Sequence, residues 1–325
     1  MKKPVLLLAT LAAASLLNAQ EARLVRFGLI TDTHVCDKGD QSPVITVNAT
    51  ARYFTGGLSK IEAFAQAMNA SQAAFVAELG DLADSPADGS LSAERRKAAT
   101  QGFAEAAETK LALFKGPRYH VLGNHATAQM SKADYFTRIA STGIAKNASY
   151  YSWNTAGVHF IVLDANFKAD GSPYSGNAGE PGAGYTWDDA NVPAAEMAWL
   201  KSDLAANKLP TVVLTHQLLN PQELIEPAFD PHLTVRNAGD IRSLLERSGT
   251  VVAVFSGHHH DGGYQVVNGI PYVVLQASVA YGNDVSYHSQ YSLVEIYQDG
   301  KNVKVTVDGH GLQKSYVLRA TLTGS

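Results

Sequence analysis

Residues 251–263 read VVAVFSGHHHDGG, and the way this stretch is parsed decides the rest of the chain. Val251 to Phe255 form a short, β-branched, apolar run of the kind that makes a buried strand. Ser256 and Gly257 end it, and Asp261-Gly262-Gly263 is turn chemistry. The three histidines therefore stand where a buried strand opens into a loop. In extended backbone successive side chains point to opposite sides, so His258 and His260 are expected to share a face and His259 to leave it. Taken alone, the triplet is open to three readings: a metal-scavenging tract, a coincidence, or two ligands flanking a bystander.

The same arrangement recurs along the chain. LVRFGLIT (24–31) runs into Asp32-Thr33-His34, AAFVAELG (73–80) into Asp81, RYHVLG (118–123) into Asn124-His125, and TVVLT (211–215) into His216. Helical patterns separate these runs: GGLSKIEAFAQAMNAS (56–71), an Ala-, Glu- and Lys-rich stretch ending at Phe114, KADYFTRIAS (132–141), VPAAEMAWLKSDLAANK (192–208) with Pro193 at its start, and AGDIRSLLERSG (238–249). ASYYSW and GVHFIVLDA supply two more strands. From Gly263 onward GYQVV, PYVVLQA, YSLVEIY and KVTV read as strands joined by hairpin-type turns. Alternating strands and helices predict an α/β fold with mainly parallel central strands. The strand-rich end predicts a mixed sheet or a second sheet packed on the first.

In an open α/β sheet the loops after the strands converge on one edge. A single Asp or His after a strand is more often a helix cap or a core residue than a ligand. Here five strand ends together carry Asp32, His34, Asp81, Asn124, His216, His258 and His260. This all-nitrogen-and-oxygen set suits two divalent cations that share a bridging carboxylate, with manganese, iron or zinc favoured over a thiolate site. Gly80, Gly123 and Gly257 are expected to let the backbone turn sharply there.

Composition narrows the classes. Of 325 residues, 46% are hydrophobic and 17% charged, which is ordinary for a globular chain. A net charge of -4 gives no general attraction to a nucleic-acid backbone. Lys2-Lys3, the apolar stretch PVLLLATLAAASLL and small Ala19 have the layout of a signal peptide over residues 1–19. A single domain over 20–325 and a secreted or periplasmic location are therefore expected; a disordered apolar N-terminus or a membrane anchor is the alternative. No later stretch is apolar and long enough for a transmembrane helix. Cys36 is the one cysteine, so an intramolecular disulfide is impossible and a small core filler is the expected role. Neither a G-x-S-x-G elbow nor a Walker-type loop is present, and GEPGAG lacks the strand-to-helix setting of a dinucleotide site. The long loop 168–191 is a lid, a binding loop or an insert.

In order, DTH, GD, GNH, VVLTH and GHHH resemble the signature of the calcineurin-like metallophosphoesterases, over roughly Leu24 to Tyr297, nearly the whole of the chain that follows the expected signal peptide. RFGLITDTH, ARYF, YYSW, FIVLDA, AEMAWLKSDL and GHHHDGGY are most similar to the manganese-dependent ADP-ribose/CDP-alcohol diphosphatase branch. The resemblance implies an αββα sandwich of two mixed sheets flanked by helices. It implies two divalent metals, manganese foremost: Asp32, His34 and His260 on the first, Asn124, His216 and His258 on the second, and Asp81 bridging them. His259 falls at a variable position. The implied reaction is hydrolysis of a phosphoester or phosphoanhydride bond by in-line attack of a metal-bridging hydroxide, with His125 as general acid or, alternatively, as a supporting histidine. The substrate would be a small phosphoester or nucleotide-derived molecule such as a nucleoside diphosphate derivative. A broad phosphomonoesterase or phosphodiesterase is the alternative, and a non-catalytic metal-binding scaffold is the competing class; a scaffold should show gaps in the ligand set, and here every position is filled.

Two departures stand out. Relatives often carry Asp or Glu after the histidine of GNH, where this chain has Ala126, so a carboxylate that could orient His125 is missing there. Asp84 stands where purple acid phosphatases carry a tyrosine, which argues against a tyrosinate-bound ferric ion and leaves a cap or hydrogen-bond acceptor. For substrate contacts, Tyr53, Phe54, Tyr264 and Tyr281 could stack a base, and Asn166, after FIVLDA, could face the metals. His120, His159 and His288 belong to no motif and are read as structural.

Overall fold

The computed structural model describes residues 22–41, 51–174, 189–220 and 233–324. The expected signal peptide and the middle of the 168–191 loop lie outside them. In chain order the strands are β1 (Ala22–Ile30), β2 (Val76–Glu78), β3 (Arg118–His120), β4 (Tyr151–Thr155), β5 (Val158–Val162), β6 (Thr211–Leu214), β7 (Val251–Ser256), β8 (Gly263–Val267), β9 (Ile270–Val274), β10 (Tyr291–Asp299), β11 (Asn302–His310) and β12 (Tyr316–Thr321). The helices are α1 (Gly57–Ala70), α2 (Ala93–Leu111), α3 (Asn124–Gln129), α4 (Lys132–Phe136), α5 (Ala194–Ala206), α6 (Ala238–Ser248) and α7 (Val285–His288).

The strands form two six-stranded mixed sheets, ordered β12-β11-β10-β1-β2-β3 and β4-β5-β6-β7-β9-β8. In the first, β1, β2 and β3 are parallel and β10 to β12 extend the sheet antiparallel. In the second, β5, β6, β7 and β9 are parallel, with β4 and β8 as antiparallel edges. Strands buried on both faces read as continuous apolar runs, and side-chain alternation sorts them into layers. Phe160 and Val162 of β5 and Val212 and Leu214 of β6 enter the core between the sheets, beside Phe27, Phe75 and Phe255. Ile161, Val213 and Val254 face outward onto Leu200 of α5 and Ile241 and Leu245 of α6. On the other side Ile30 and Val76 meet Ile61, Phe64 and Met68 of α1 and Leu111 of α2. The result is helix, sheet, sheet, helix, the sandwich the resemblance implied. Phe27 stacks on Phe75 at 4.9 Å, and Phe75 meets Phe160 edge-on at 4.8 Å, so an aromatic cluster joins the sheets at their centre.

Three elements escaped the pattern reading, among them the single turn of α7, which lies between two strands read as a continuous run. β12 alternates apolar and polar residues weakly, with Val317 exposed, and only its pairing with β11 makes it a strand. α3 starts inside GNH, where Asn124 and His125 are its first residues. Pro193 stands at the N-cap of α5, with φ -72°, one residue before the helical positions.

Candidate metal centre

Every parallel strand except β5 and β9 hands the chain to one of the expected ligands, and the carboxyl ends of the two sheets meet there. Backbone bonds sew the loops together like an extended ladder. Asp32 N donates to Gly80 O (3.0 Å), His34 N to Asp81 O (2.9 Å) and Gly257 N to His216 O (3.2 Å). The β9 exit closes the ring, with Val279 N donating to Asp32 O (3.0 Å) and Ala277 N to His260 O (2.9 Å). At Gly123 and Gly257 the requirement is space more than turn. A Cβ on Gly123 would lie 2.2 Å from Asp81 N and Oδ1, and one on Gly257 would lie 2.0 Å from Thr31 Oγ1.

Asp32, His34, Asp81 and His258 have φ of 51°, 47°, 57° and 69°. Such left-handed backbone costs non-glycine residues roughly 1–3 kcal/mol each and persists where the surroundings over-determine it. It also corrects the alternation argument for the triplet, because the chain is not extended at His258. His258 groups with Asp81 and His216, while His260 groups with Asp32 and His34, so the two straddle the centre instead of sharing a face. His259 belongs to neither group, yet it is only 8% exposed.

The side chains are aimed by their outer bonds. Asp32 Oδ2 accepts from Thr31 Oγ1 (2.6 Å) and His258 N (3.0 Å), which leaves Oδ1 turned inward. His216 donates Nδ1–H to Leu79 O (2.7 Å) and presents Nε2. Asp81 Oδ1 accepts from His125 N (2.9 Å). Its Oδ2 lies between the two histidine groups, 3.1 Å from His216 Nε2 and 3.7 Å from His34 Nε2. His260 Nε2 is 3.5 Å and His34 Nε2 3.7 Å from Asp32 Oδ1. Asn124 Oδ1 lies 3.0 Å from His216 Nε2.

These residues fit a pair of cations. Asp32 Oδ1 and His34 Nε2 are fully buried polar atoms without a hydrogen-bond partner, a costly state unless something else binds them. Neighbouring ligand atoms around a cation with bonds of about 2.1 Å stand about 3 Å apart, close to the separations around Asp81 Oδ2. The electrostatics agree. Burial pushes Asp32 and Asp81 up, but the positive field of His216, with the nearby imidazoles of His260 and His34 at Asp32 and the charge of His125 at Asp81, outweighs burial and holds both carboxyls low. Burial pushes His34 and His216 down, yet the facing aspartates raise both to about 9. The pocket thus draws positive charge onto its imidazoles, and divalent cations would supply it in place of protons.

Asp84 has a larger part than the residue pattern suggested. Its Oδ1 accepts from His125 Nδ1 (2.9 Å), Lys38 Nζ (3.1 Å) and Ser85 N (2.6 Å), and its Oδ2 from His34 Nδ1 (3.3 Å). Burial raises its pKa, but the charges and bonds of His125 and His34 hold it well below the usual carboxylate range. The carboxylate that orients His125 therefore comes from the loop after β2, and Ala126 does not leave the imidazole unsupported. His125 Nε2 lies 4.0 Å from Asp81 Oδ2.

The expected substrate contacts fare differently. Asn166 is completely buried; its amide donates to Leu122 O and Asp164 Oδ1 and accepts from Gln217 Nε2. It ties the loops after β3, β5 and β6 together behind the centre, which corrects its reading as a substrate contact. Tyr264 is 44% exposed on β8, its ring 5.0 Å from that of Tyr316, and the structure does not bring it to the cluster. Tyr53 does border the centre through its N–H to Val279 O (2.7 Å). Cys36 is half-buried, packed on a small cluster with Phe54 and Val279, and takes no part in the metal-ligating groups among the described residues.

Comparison with known proteins agrees with this geometry. The sequence profile of the calcineurin-like phosphoesterases matches residues 25–262, opening before Asp32 and closing after His260. The manganese-dependent ADP-ribose/CDP-alcohol diphosphatase of Arabidopsis thaliana is 23% identical over 293 residues, 81% of this chain and 88% of the plant protein. Among solved structures, a dimetal phosphatase from Danio rerio shares the fold with a TM-score of 0.69 at 16% identity, over 93% of this chain and 100% of that one.

Proposed function

The chain belongs to the calcineurin-like phosphoesterases, and from that premise we propose that it is an exported, manganese-preferring hydrolase of phosphoanhydride bonds in nucleoside diphosphate derivatives. One observation carries the two-metal part of the reading: Asp81 Oδ2 stands between two groups of buried, inward-facing ligand atoms. Support for the substrate comes from the likeness to the plant diphosphatase. Support for export comes from the Lys2-Lys3 and apolar pattern of residues 1–19. Among the described residues no helix is long and apolar enough to cross a membrane.

Asp32, His34 and His260 would hold one cation, Asn124, His216 and His258 the other, and Asp81 both. Bound there, the pair would neutralise phosphoryl oxygens and lower the pKa of a water. The chain's own residues do the rest. The outer bonds of Asp32 and His216 keep their ligand atoms fixed, so little reorganisation is needed when charge develops. His125 is tied to Asp81 through its backbone N–H and to Asp84 through Nδ1, and its Nε2 would hand a proton to the departing oxygen.

The test is cleavage of ADP-ribose, a CDP-alcohol, an aryl phosphodiester and an aryl phosphomonoester by the mature chain, chelated and then reloaded with manganese, zinc or iron. Manganese-dependent cleavage that is highest on the diphosphates, and lost in Asp81→Asn, is expected. A higher rate on the phosphomonoester would replace the substrate reading with that of a broad phosphatase. Two metals bound with no turnover on any of the four would favour the scaffold class. For export, the N-terminal residue of the protein recovered outside the cytoplasm should follow position 19; an intact Met1 would sink that part.

A further inference from the structure

Among the described residues, Lys38 and Arg52 lie on segments that border the centre, and they differ in one respect. Lys38 is committed, with Nζ 3.1 Å from Asp84 Oδ1. Arg52 is not: among the described residues its backbone pairs with Gln41 in both directions (2.8 and 3.0 Å), but no carboxylate or carbonyl meets its guanidinium. Its position is nonetheless well determined. The next residue, Tyr53, donates its N–H to Val279 O at 2.7 Å, Val279 N donates to Asp32 O at 3.0 Å, and Ala277 N donates to His260 O at 2.9 Å. Segment 51–53 is thereby fastened, through the loop after β9, to two of the expected ligands.

A half-buried guanidinium on a segment fastened to two expected ligands, with no carboxylate paired to it among the described residues, offers one half of a charge-assisted pair. The planar fork of arginine matches two oxygens of a phosphate. A phosphomonoester or a simple diester has one phosphorus, and its oxygens belong at the centre. A phosphoanhydride brings a second phosphate a few ångströms away. We propose that Arg52 is a specificity-determining residue that binds the phosphate adjacent to the scissile one, so that the site favours phosphoanhydrides over single phosphoesters. This rests on the phosphoesterase reading above and gives its substrate class a named contact.

The experiment uses the manganese-loaded mature chain as wild type, Arg52→Ala and Arg52→Lys. Metal content and circular dichroism confirm that each variant is folded and loaded. Two readouts follow: kcat/KM on ADP-ribose and on an aryl phosphodiester, and calorimetric affinity for ADP and AMP. Loss of one bidentate charged contact should lower kcat/KM on ADP-ribose and the affinity for ADP by about 10- to 100-fold in Arg52→Ala. The diester rate and AMP affinity should change by less than about threefold, and Arg52→Lys should fall between, because an ammonium cannot reproduce the fork. Equal losses on both substrates, or none on either, would overturn the assignment. If the wild type cleaves the diester but not ADP-ribose, the substrate reading fails on its own. ADP against AMP then still judges Arg52: a loss confined to ADP supports it, and equal weakening overturns it.

Discussion

Replacing Asp84 by Asn tests whether this carboxylate, three residues beyond Asp81, supports His125. Five donor atoms converge on Asp84: His125 Nδ1, Lys38 Nζ and the N and Oγ of Ser85 at Oδ1, and His34 Nδ1 at Oδ2. An amide has a single acceptor oxygen and two donor hydrogens. If that oxygen stays with His125, the NH2 group confronts His34 Nδ1, and the negative charge that steadies the His125 ring is lost. A charged hydrogen bond of this kind contributes about 1.5–3 kcal/mol, which is about 10- to 150-fold in rate if it acts only as the leaving oxygen takes its proton. The assay is kcat at saturating manganese on phosphodiesters whose leaving groups span a range of pKa. The deficit of Asp84→Asn should be near the top of that range for an alkoxide and shrink toward unity for a nitrophenolate, which departs without a proton. A deficit that is the same across the series, with full metal content, would refute the role assigned to Asp84 and His125. A deficit that tracks lost metal instead would mean that the bond to His34 is the one that matters.

Two more outcomes follow from the packing around the strand ends. Gly123→Ala puts a methyl group 2.2 Å from the Asp81 backbone and carboxylate; it should cost about 1–3 kcal/mol of stability and remove manganese binding, and a variant with native melting temperature and two bound metals would contradict the close-approach argument. His120, outside the metal-ligating groups, has Nε2 3.1 Å from Glu108 Oε2 and Nδ1 3.7 Å from Glu78 Oε2. Burial alone would lower its pKa, but these two glutamates raise it to about 9. A raised imidazole stabilises the fold fully below about pH 6.5 and loses that contribution as pH climbs through about 9, on the order of 3 kcal/mol in all. The melting-temperature gap between wild type and His120→Gln should therefore be widest near pH 6 and close by pH 9.5; a gap that is flat with pH would show that His120 is neutral in the folded protein.

The chain's one-dimensional order determined a good deal. Runs such as TVVLT and VVAVF are apolar because parallel strands are covered on both faces, and that pattern is local, so it can be read without neighbours. The donor atoms available to a metal, all nitrogen and oxygen, follow from residue identity, as does their placement just after a strand. The likeness of DTH, GD, GNH, VVLTH and GHHH to a known signature rests on the same letters.

What only the tertiary structure decided depends on partners far away in the chain. Asp84 and His125 are 41 residues apart, and His258 N reaches Asp32 across 226. No local periodicity encodes which carboxylate turns toward which imidazole, so Ala126 looked like a missing support while Asp84 supplied it. Asn166 has the residue type and the strand-end position of a contact, but the closing of the loops after β3 and β6 over it consumes its amide. The left-handed backbone at His258 is likewise imposed from outside, by the bond to Asp32, and it places His258 with Asp81 and His216 while His260 joins Asp32 and His34. Residue order chose the atoms of the centre; long-range hydrogen bonds between the ends of two sheets chose where each one points.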